Sequence, residues 1–116
     1  MHITGPGLRL RIYIGETDHW QGRPLYDALV VQARKMGLAG ATVLRGVEGF
    51  GARSRLHTAK VLRLSENLPM VVEIVDREDR VRAFLDECDK MIGGGLVTLD
   101  GVEILKYSAT LGDESR

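Results

Sequence analysis

Two glycine clusters hold the residues most able to do chemistry. In "VEGFGARSRLHTAK", Val47 to Lys60, Gly49, Phe50 and Gly51 stand in a row. Arg53, Arg55, His57 and Lys60 follow with no acid among them. The second cluster is Gly93, Gly94 and Gly95 in "MIGGGLV". Glycine takes positive φ without steric cost, so consecutive amides can converge on an anion and a ligand can approach the backbone closely. Neither cluster is a Walker A loop, which needs a lysine and a hydroxyl after its glycines, and neither is a dinucleotide fingerprint. Taken alone, each is more often a turn or a helix cap than an anion site. Arg53 and Arg55 then read as an exposed basic loop.

The remaining reactive side chains point to no catalytic set. His2, His19 and His57 are far apart in sequence, and none lies in a His-Glu-x-x-His pattern. They read as solvent-exposed histidines, with a metal site built on His19 or His57 as the open alternative. Ser54, Ser65 and Ser108 lack a nucleophile-elbow context. Glu78, Asp79, Asp86, Glu87 and Asp89 are interleaved with Arg77, Arg80, Arg82 and Lys90, the pattern of a solvated helix face. Nothing demands an enzyme. Cys88 is the single cysteine, so it makes no intrachain disulfide and no cysteine zinc site. It falls on an apolar helix stripe and reads as a small buried hydrophobe in a reducing compartment.

The elements that must hold these residues follow from periodicity. "LRLRIYI" alternates strictly: Leu8, Leu10, Ile12 and Ile14 point one way, and Arg9, Arg11 and Tyr13 the other, as in a half-buried strand. Residues 1 to 7, with Gly5, Pro6 and Gly7, are expected to be loose. "GETDHWQGR" reads as a polar connection. Pro24 suits the first turn of a helix, and Leu25, Leu29, Ala33 and Met36 recur at helical spacing before Gly37 and Gly40. "ATVLRGVEG" is a second strand, "AKVLRL" a short extended piece, and "MVVEIVD" a buried strand after Pro69. Asp76 is a plausible N-cap, with Asp79 near the positive end of the helix. Val81, Phe84, Leu85, Cys88 and Ile92 form the stripe of that second helix. "LVTL" and "VEILKY" read as short strands around a turn at Asp100–Gly101, and the tail from Ser108 is polar.

This order predicts an α+β fold, the ferredoxin-like β-α-β-β-α-β arrangement: an antiparallel sheet with two helices on one face. The 116 residues form one domain, with an ordered core over about 8–107, a flexible loop over about 52–68 and a polar tail over 108–116. The opposite sheet face is left uncovered, with Tyr13 and Val72 as candidates for it, and an uncovered apolar face favours oligomerisation. Apolar residues make up 44% and charged residues 28%, the profile of a soluble globular protein. Sixteen bases balance 16 acids, so the footprint of a nucleic-acid binder is absent and any anion site is local. No apolar run reaches the roughly 20 residues that span a membrane, and the N-terminus lacks a signal-peptide core. The expectation is a cytoplasmic protein with no direct membrane insertion.

"GLAGATVLRGVEGFG" resembles the second-strand segment of PII signal-transduction proteins, with its Gly-x-Thr-Val start and Gly-Phe-Gly end. "LHTAK" is similar to the Gly-His-Thr that enters their T-loop, and "MIGGGLV" to their B-loop. The closer resemblance is to the uncharacterised PII-like family often encoded beside or fused to fluoride-exporter proteins. "IYIGE", "PLYDALV", "GATVLRGVEGFG", "LRLSENLP", "EIVD" and "GLVTL" carry it, in order, from about Leu8 to Tyr107.

The resemblance implies a homotrimer with its sheets facing inward and an adenine nucleotide in each intersubunit cleft. Phosphates would lie against Gly49, Phe50 and Gly51 and against Gly93, Gly94 and Gly95. The base would lie against Gly40 and Thr42 of a neighbour. Phe50 would pack beside the site or into the core. This sequence departs from PII proteins at four positions. Ala52 stands for an arginine, Arg53 for the glutamine that helps hold magnesium, and Met70 and Leu96 for two lysines. No tyrosine lies between Gly51 and Pro69, so the modification site of enteric-type PII is missing. Each lost lysine removes charge-assisted bonds worth about 1.5–3 kcal/mol, which weakens a triphosphate most. Arg53 and Arg55 would compensate as forked phosphate donors. The implied function is a non-enzymatic regulator that binds AMP or ADP over ATP, with no obligatory metal. Its 52–68 loop would act on a target protein such as a membrane transporter. The alternative is a CutA-like metal-binding trimer in which His57 or His19 meets acids or Cys88 from a neighbour.

Overall fold

The computed structural model describes residues 1–50 and 67–109, together with the backbone pairing of His57–Thr58. Four strands form one antiparallel sheet: β1 (His2–Gly15), β2 (Thr42–Arg45), β3 (Pro69–Asp76) and β4 (Leu96–Ser108). Their spatial order is β2-β3-β1-β4. Helices α1 (Leu25–Lys35) and α2 (Glu78–Cys88) complete the predicted ferredoxin-like β-α-β-β-α-β succession.

Alternation decides which face each residue takes. Leu10, Ile12 and Ile14 of β1 pack with Met70, Val72 and Ile74 of β3 against Leu25, Leu29 and Ala33 of α1 and Val81, Phe84 and Cys88 of α2. Val72 is therefore a core residue, not an open-face one: it pairs directly with Ile12, and paired residues share a face. The open face carries Tyr13, Val71, Val75 and Leu44, with two ion pairs laid across the central strand. Arg9 and Asp100 are register partners joined at 2.7 Å, and Arg11 and Glu73 are partners joined at 2.8 Å. The hydrogen bond to Glu73 is the chief cause that raises the Arg11 guanidinium above its ordinary pKa.

Three sequence expectations are corrected. Residues 1–7 are not loose, because β1 starts at His2 and pairs with β4 from His2 to Tyr13, with one register shift between Ile3 and Gly5. Gly5 takes φ +99° at a register shift, and Pro6 is tolerated because this stretch runs past the end of β3 and has a neighbour on one side only. Asp100–Gly101 is not a turn. Both residues pair with β1, and the Arg9–Asp100 ion pair fixes that register, so β4 is a single 13-residue strand. Asp76 lies one residue before the α2 N-cap, Arg77, and acts instead as a buried acceptor. Its Oδ1 takes the Arg77 amide (2.7 Å), and its Oδ2 takes the Ala39 amide (2.8 Å) and Arg80 Nε (3.1 Å).

The expected second strand also divides. Thr42–Arg45 joins the main sheet, whereas Glu48–Gly49 pairs with His57–Thr58 in a separate two-stranded ladder. The short strand read in "AKVLRL", the greater part of the 52–68 loop and the tail beyond Ala109 lie outside the described residues.

Candidate functional site

One end of the sheet gathers the chemistry. Gly15 pairs with Pro69 and Tyr13 with Leu96, so the end of β1 and the starts of β3 and β4 lie side by side. A cleft of about 910 Å³ opens there. Gly49 and Phe50 line it together with Gly93, Gly94 and Gly95, and Ile14, Trp20 and Leu25 are among its apolar lining residues. Five of the sequence-nominated residues thus meet in one place although more than 40 positions separate Gly49 from Gly93 in the chain.

Each glycine has its own reason. Gly95 adopts φ +139°, and a Cβ there would stand 2.5 Å from the Tyr13 carbonyl oxygen, so only glycine lets this turn lie flat on β1. Gly93 and Gly94 have open space around them, and their backbone is accessible from the cleft. Gly49 at φ +155° would bring a Cβ within 3.1 Å of the Pro69 ring. Phe50 is 67% exposed, which settles its alternatives: it stands beside the cleft and not in the core.

Gly40 and Thr42 do not join this cleft. Thr42 pairs with Glu73, and Ala39, next to Gly40, binds Asp76 at the far end of β3. At strand spacing Asp76 lies roughly 23 Å along β3 from Pro69 and Glu73 roughly 13 Å, so Ala39 and its neighbour Gly40 sit towards the end of the strand away from Gly49, and Thr42 sits midway. Tyr107 Oη donates to the Ala39 carbonyl at 2.9 Å, and the Arg80 guanidinium donates to the Gly37 carbonyl. The segment that leads into Gly40 and Thr42 is thus held by side chains of three elements. Gly51, Arg53 and Arg55 lie outside the described residues.

The turn between β1 and α1 supplies residues that sequence reasoning passed over as a polar connection. His19–Trp20 and Arg23–Pro24 form a small hairpin whose two loop residues, Gln21 (φ 49°) and Gly22 (φ 84°), both take positive φ, as a tight type I′ turn requires. That hairpin carries Trp20 into the cleft. The signal available in the sequence was a Gln-Gly pair between short polar runs. Asp18 Oδ2 accepts the Gly15 amide at 2.9 Å, and Asn67 Oδ1 accepts the Thr17 amide at 2.9 Å. His19 Nδ1 lies 2.6 Å from the Thr17 carbonyl oxygen. A carbonyl only accepts, so Nδ1 is the donor and Nε2 is left for other partners. Lys90, on the one-turn helix that follows α2, also lines the cleft.

The metal alternative gains no ligand from Cys88. Its thiol is fully buried between α2 and the sheet, where burial pushes its pKa up to about 11, so it cannot reach a neighbouring subunit. Among the described residues, no three His, Cys, Asp or Glu side chains cluster as a metal site would need. No helix among them is long and apolar enough to cross a membrane.

Comparison with known proteins agrees with this architecture. The family model DUF190, described as "Uncharacterized ACR, COG1993", matches residues 7–104. The chain is a member of the DUF190 family. A UPF0166 protein of Aquifex aeolicus (strain VF5) is 40% identical to this DUF190 chain over 96 residues, covering 83% of the chain and 90% of the relative. A UPF0166 protein of Methanocaldococcus jannaschii is 32% identical over 98 residues, covering 84% and 90%. Among solved structures, the nitrogen-regulatory PII-like protein CPII of Thiomonas intermedia K12, bound to ADP, AMP and bicarbonate, superposes with a TM-score of 0.64 at 13% identity, covering 85% and 88% of the two chains. The B. subtilis GlnK–ATP complex superposes at 0.55 and 13%, covering 86% and 84%. At these identities the likeness shows a shared fold, the PII-like ferredoxin-like one.

Proposed function

We propose that this DUF190 protein is a non-enzymatic PII-like regulator that binds an adenine nucleotide, AMP or ADP in preference to ATP, and acts on a partner protein through its 52–68 segment. The observation that carries this reading is the meeting of Gly49–Phe50 and Gly93–Gly95 along one cleft. Both are glycine segments whose backbone amides a phosphate chain could meet. The fold is shared with CPII, solved with ADP and AMP, and with GlnK, solved with ATP. The preference for fewer phosphates is supported by the two positions where PII proteins carry lysine. Met70 is turned into the core, and Leu96 is exposed beside the cleft without a charge.

The working form in this reading is a cytoplasmic homotrimer joined through the open sheet face, with Gly40 and Thr42 of one subunit completing the base site of its neighbour. A membrane transporter is the class of partner that the family resemblance favours.

Calorimetry of the purified protein with AMP, ADP and ATP, with and without magnesium, tests the ligand. The expected result is tighter binding of AMP or ADP, unchanged by magnesium. Tight magnesium-dependent ATP binding overturns the preference, and no binding of any of the three overturns the reading. A nucleotide panel should show no turnover.

A further inference from the structure

We infer that Lys90 is the residue that reads phosphate in this cleft, so that it sets the preference for a nucleotide over its nucleoside. The inference rests on the adenine-nucleotide reading above and assigns that site its charge partner. It starts from which lining groups carry charge. Among the described lining residues, only Asp18, His19 and Lys90 are titratable apart from the phenol of Tyr13.

Asp18 is committed to the turn. Its Oδ2 accepts the Gly15 amide, its own amide donates to the Gly15 carbonyl, and its carbonyl accepts the Leu25 amide. A carboxylate would also repel a phosphate. His19 is tied by Nδ1 to the Thr17 carbonyl and presents at most Nε2. Lys90 is therefore the one lysine or arginine among the described lining residues, and its ammonium carries three donors and no acceptor.

Its position suits the role. The one-turn helix Asp89–Met91 ends two residues before Gly93. Lys90 thus stands beside the accessible backbone of Gly93 and Gly94, where a phosphate would meet amides and ammonium together. Trp20 lines the same cleft and offers aromatic surface that is indifferent to phosphate. Charge and apolar contact are thereby assigned to different residues, and they can be separated by experiment.

The test compares AMP with adenosine on the full-length wild-type protein, Lys90→Gln, Lys90→Arg and a control, Lys106→Gln, whose side chain is exposed on β4 and absent from the cleft lining. Charge-assisted bonds set the expected scale. Wild type should bind AMP about tenfold or more tightly than adenosine, with an affinity that falls as salt rises. Lys90→Gln should lose that ratio and most of the salt dependence while its affinity for adenosine stays within about twofold. Lys90→Arg should keep much of the ratio, and Lys106→Gln should match wild type. A wild-type ratio that survives in Lys90→Gln overturns the role of Lys90 and leaves the nucleotide reading standing. Wild type that binds neither compound overturns both.

Discussion

Gly94 and Gly95 are neighbours in one turn, yet the surroundings demand glycine only at the second. Gly95→Ala would drive a Cβ into the Tyr13 carbonyl at a backbone angle that L-residues rarely adopt. The cost should be about 1–3 kcal/mol, read as a lower melting temperature. Gly94→Ala meets open space, so the fold should keep its melting temperature within a degree or two. Its methyl group would instead project where a phosphate approaches the backbone, and AMP affinity should drop severalfold in calorimetry. Equal AMP affinity in Gly94→Ala would remove this turn from the site. Cys88 gives a residue-scale prediction in pH. Its thiol pKa rises from about 9 in the unfolded chain to about 11 in the fold, chiefly through burial. Between those values the folded state holds a proton that the unfolded state has released, so stability falls as pH rises through that window. Below pH 9 the thiol contributes no slope. Denaturant titrations at pH 8 and pH 10.5 should show a smaller alkaline loss in Cys88→Ala than in wild type, although the variant starts less stable. An equal loss in both would show that the thiol is not held neutral.

At the scale of elements, the Asp76 carboxylate ties β3 to the start of α2 and to the turn after α1. It is fully buried and accepts from two amides and one guanidinium. Removing a buried charge partner leaves the remaining groups unpaired, so Asp76→Ala should cost about 3–5 kcal/mol in urea unfolding. Tyr107→Phe deletes one bond to the same turn and should cost about 1 kcal/mol. The two effects should fall short of additivity, since both act on Ala39; strict additivity would show that the turn is not a shared element. These ties also mark what the sequence could and could not reveal. The alternation of Leu8 to Ile14 and the stripe from Val81 to Cys88 record burial at a fixed period, so the strands and helices could be read one by one. Gly5-Pro6-Gly7 and Asp100-Gly101 carry the local signature of loops and turns, and only pairing between β1 and β4 overrides it. Val72 was misplaced because a strand buried on one face and half-buried on the other shows no clear alternation in residue type. The glycine segments of the cleft were legible through the family resemblance. Trp20 and Lys90 were not, because a hairpin and a one-turn helix bring them there, and no spacing links positions 20 and 90.

For the whole molecule, the open sheet face decides whether one chain suffices. Helices cover one side of the sheet, and the other offers Val71, Val75 and Tyr13, half-buried, with Leu44 52% exposed on the edge strand. The Arg9–Asp100 and Arg11–Glu73 pairs are already satisfied within the chain, so this face can approach a copy of itself without unpaired charge. An apolar face of this kind gains from being covered. Gly40 follows Ala39, which is held at the Asp76 end of β3, and Thr42 pairs midway along it with Glu73, so in the proposed trimer they would serve a neighbour's cleft and not their own. Assembly and ligand binding should therefore fail together. Wild type should sediment at three times the 12.8 kDa chain mass. Leu44→Glu removes little packing within the subunit, because its side chain is largely exposed, but it would place a carboxylate in the proposed contact between copies. The variant should remain folded by circular dichroism, sediment as a single chain and bind AMP at least tenfold more weakly. A trimeric Leu44→Glu would show that the open face near β2 is not the contact. A monomeric variant with unchanged AMP affinity would show that the cleft of one chain is the complete site, and the role given to Gly40 and Thr42 of a neighbour would have to be abandoned.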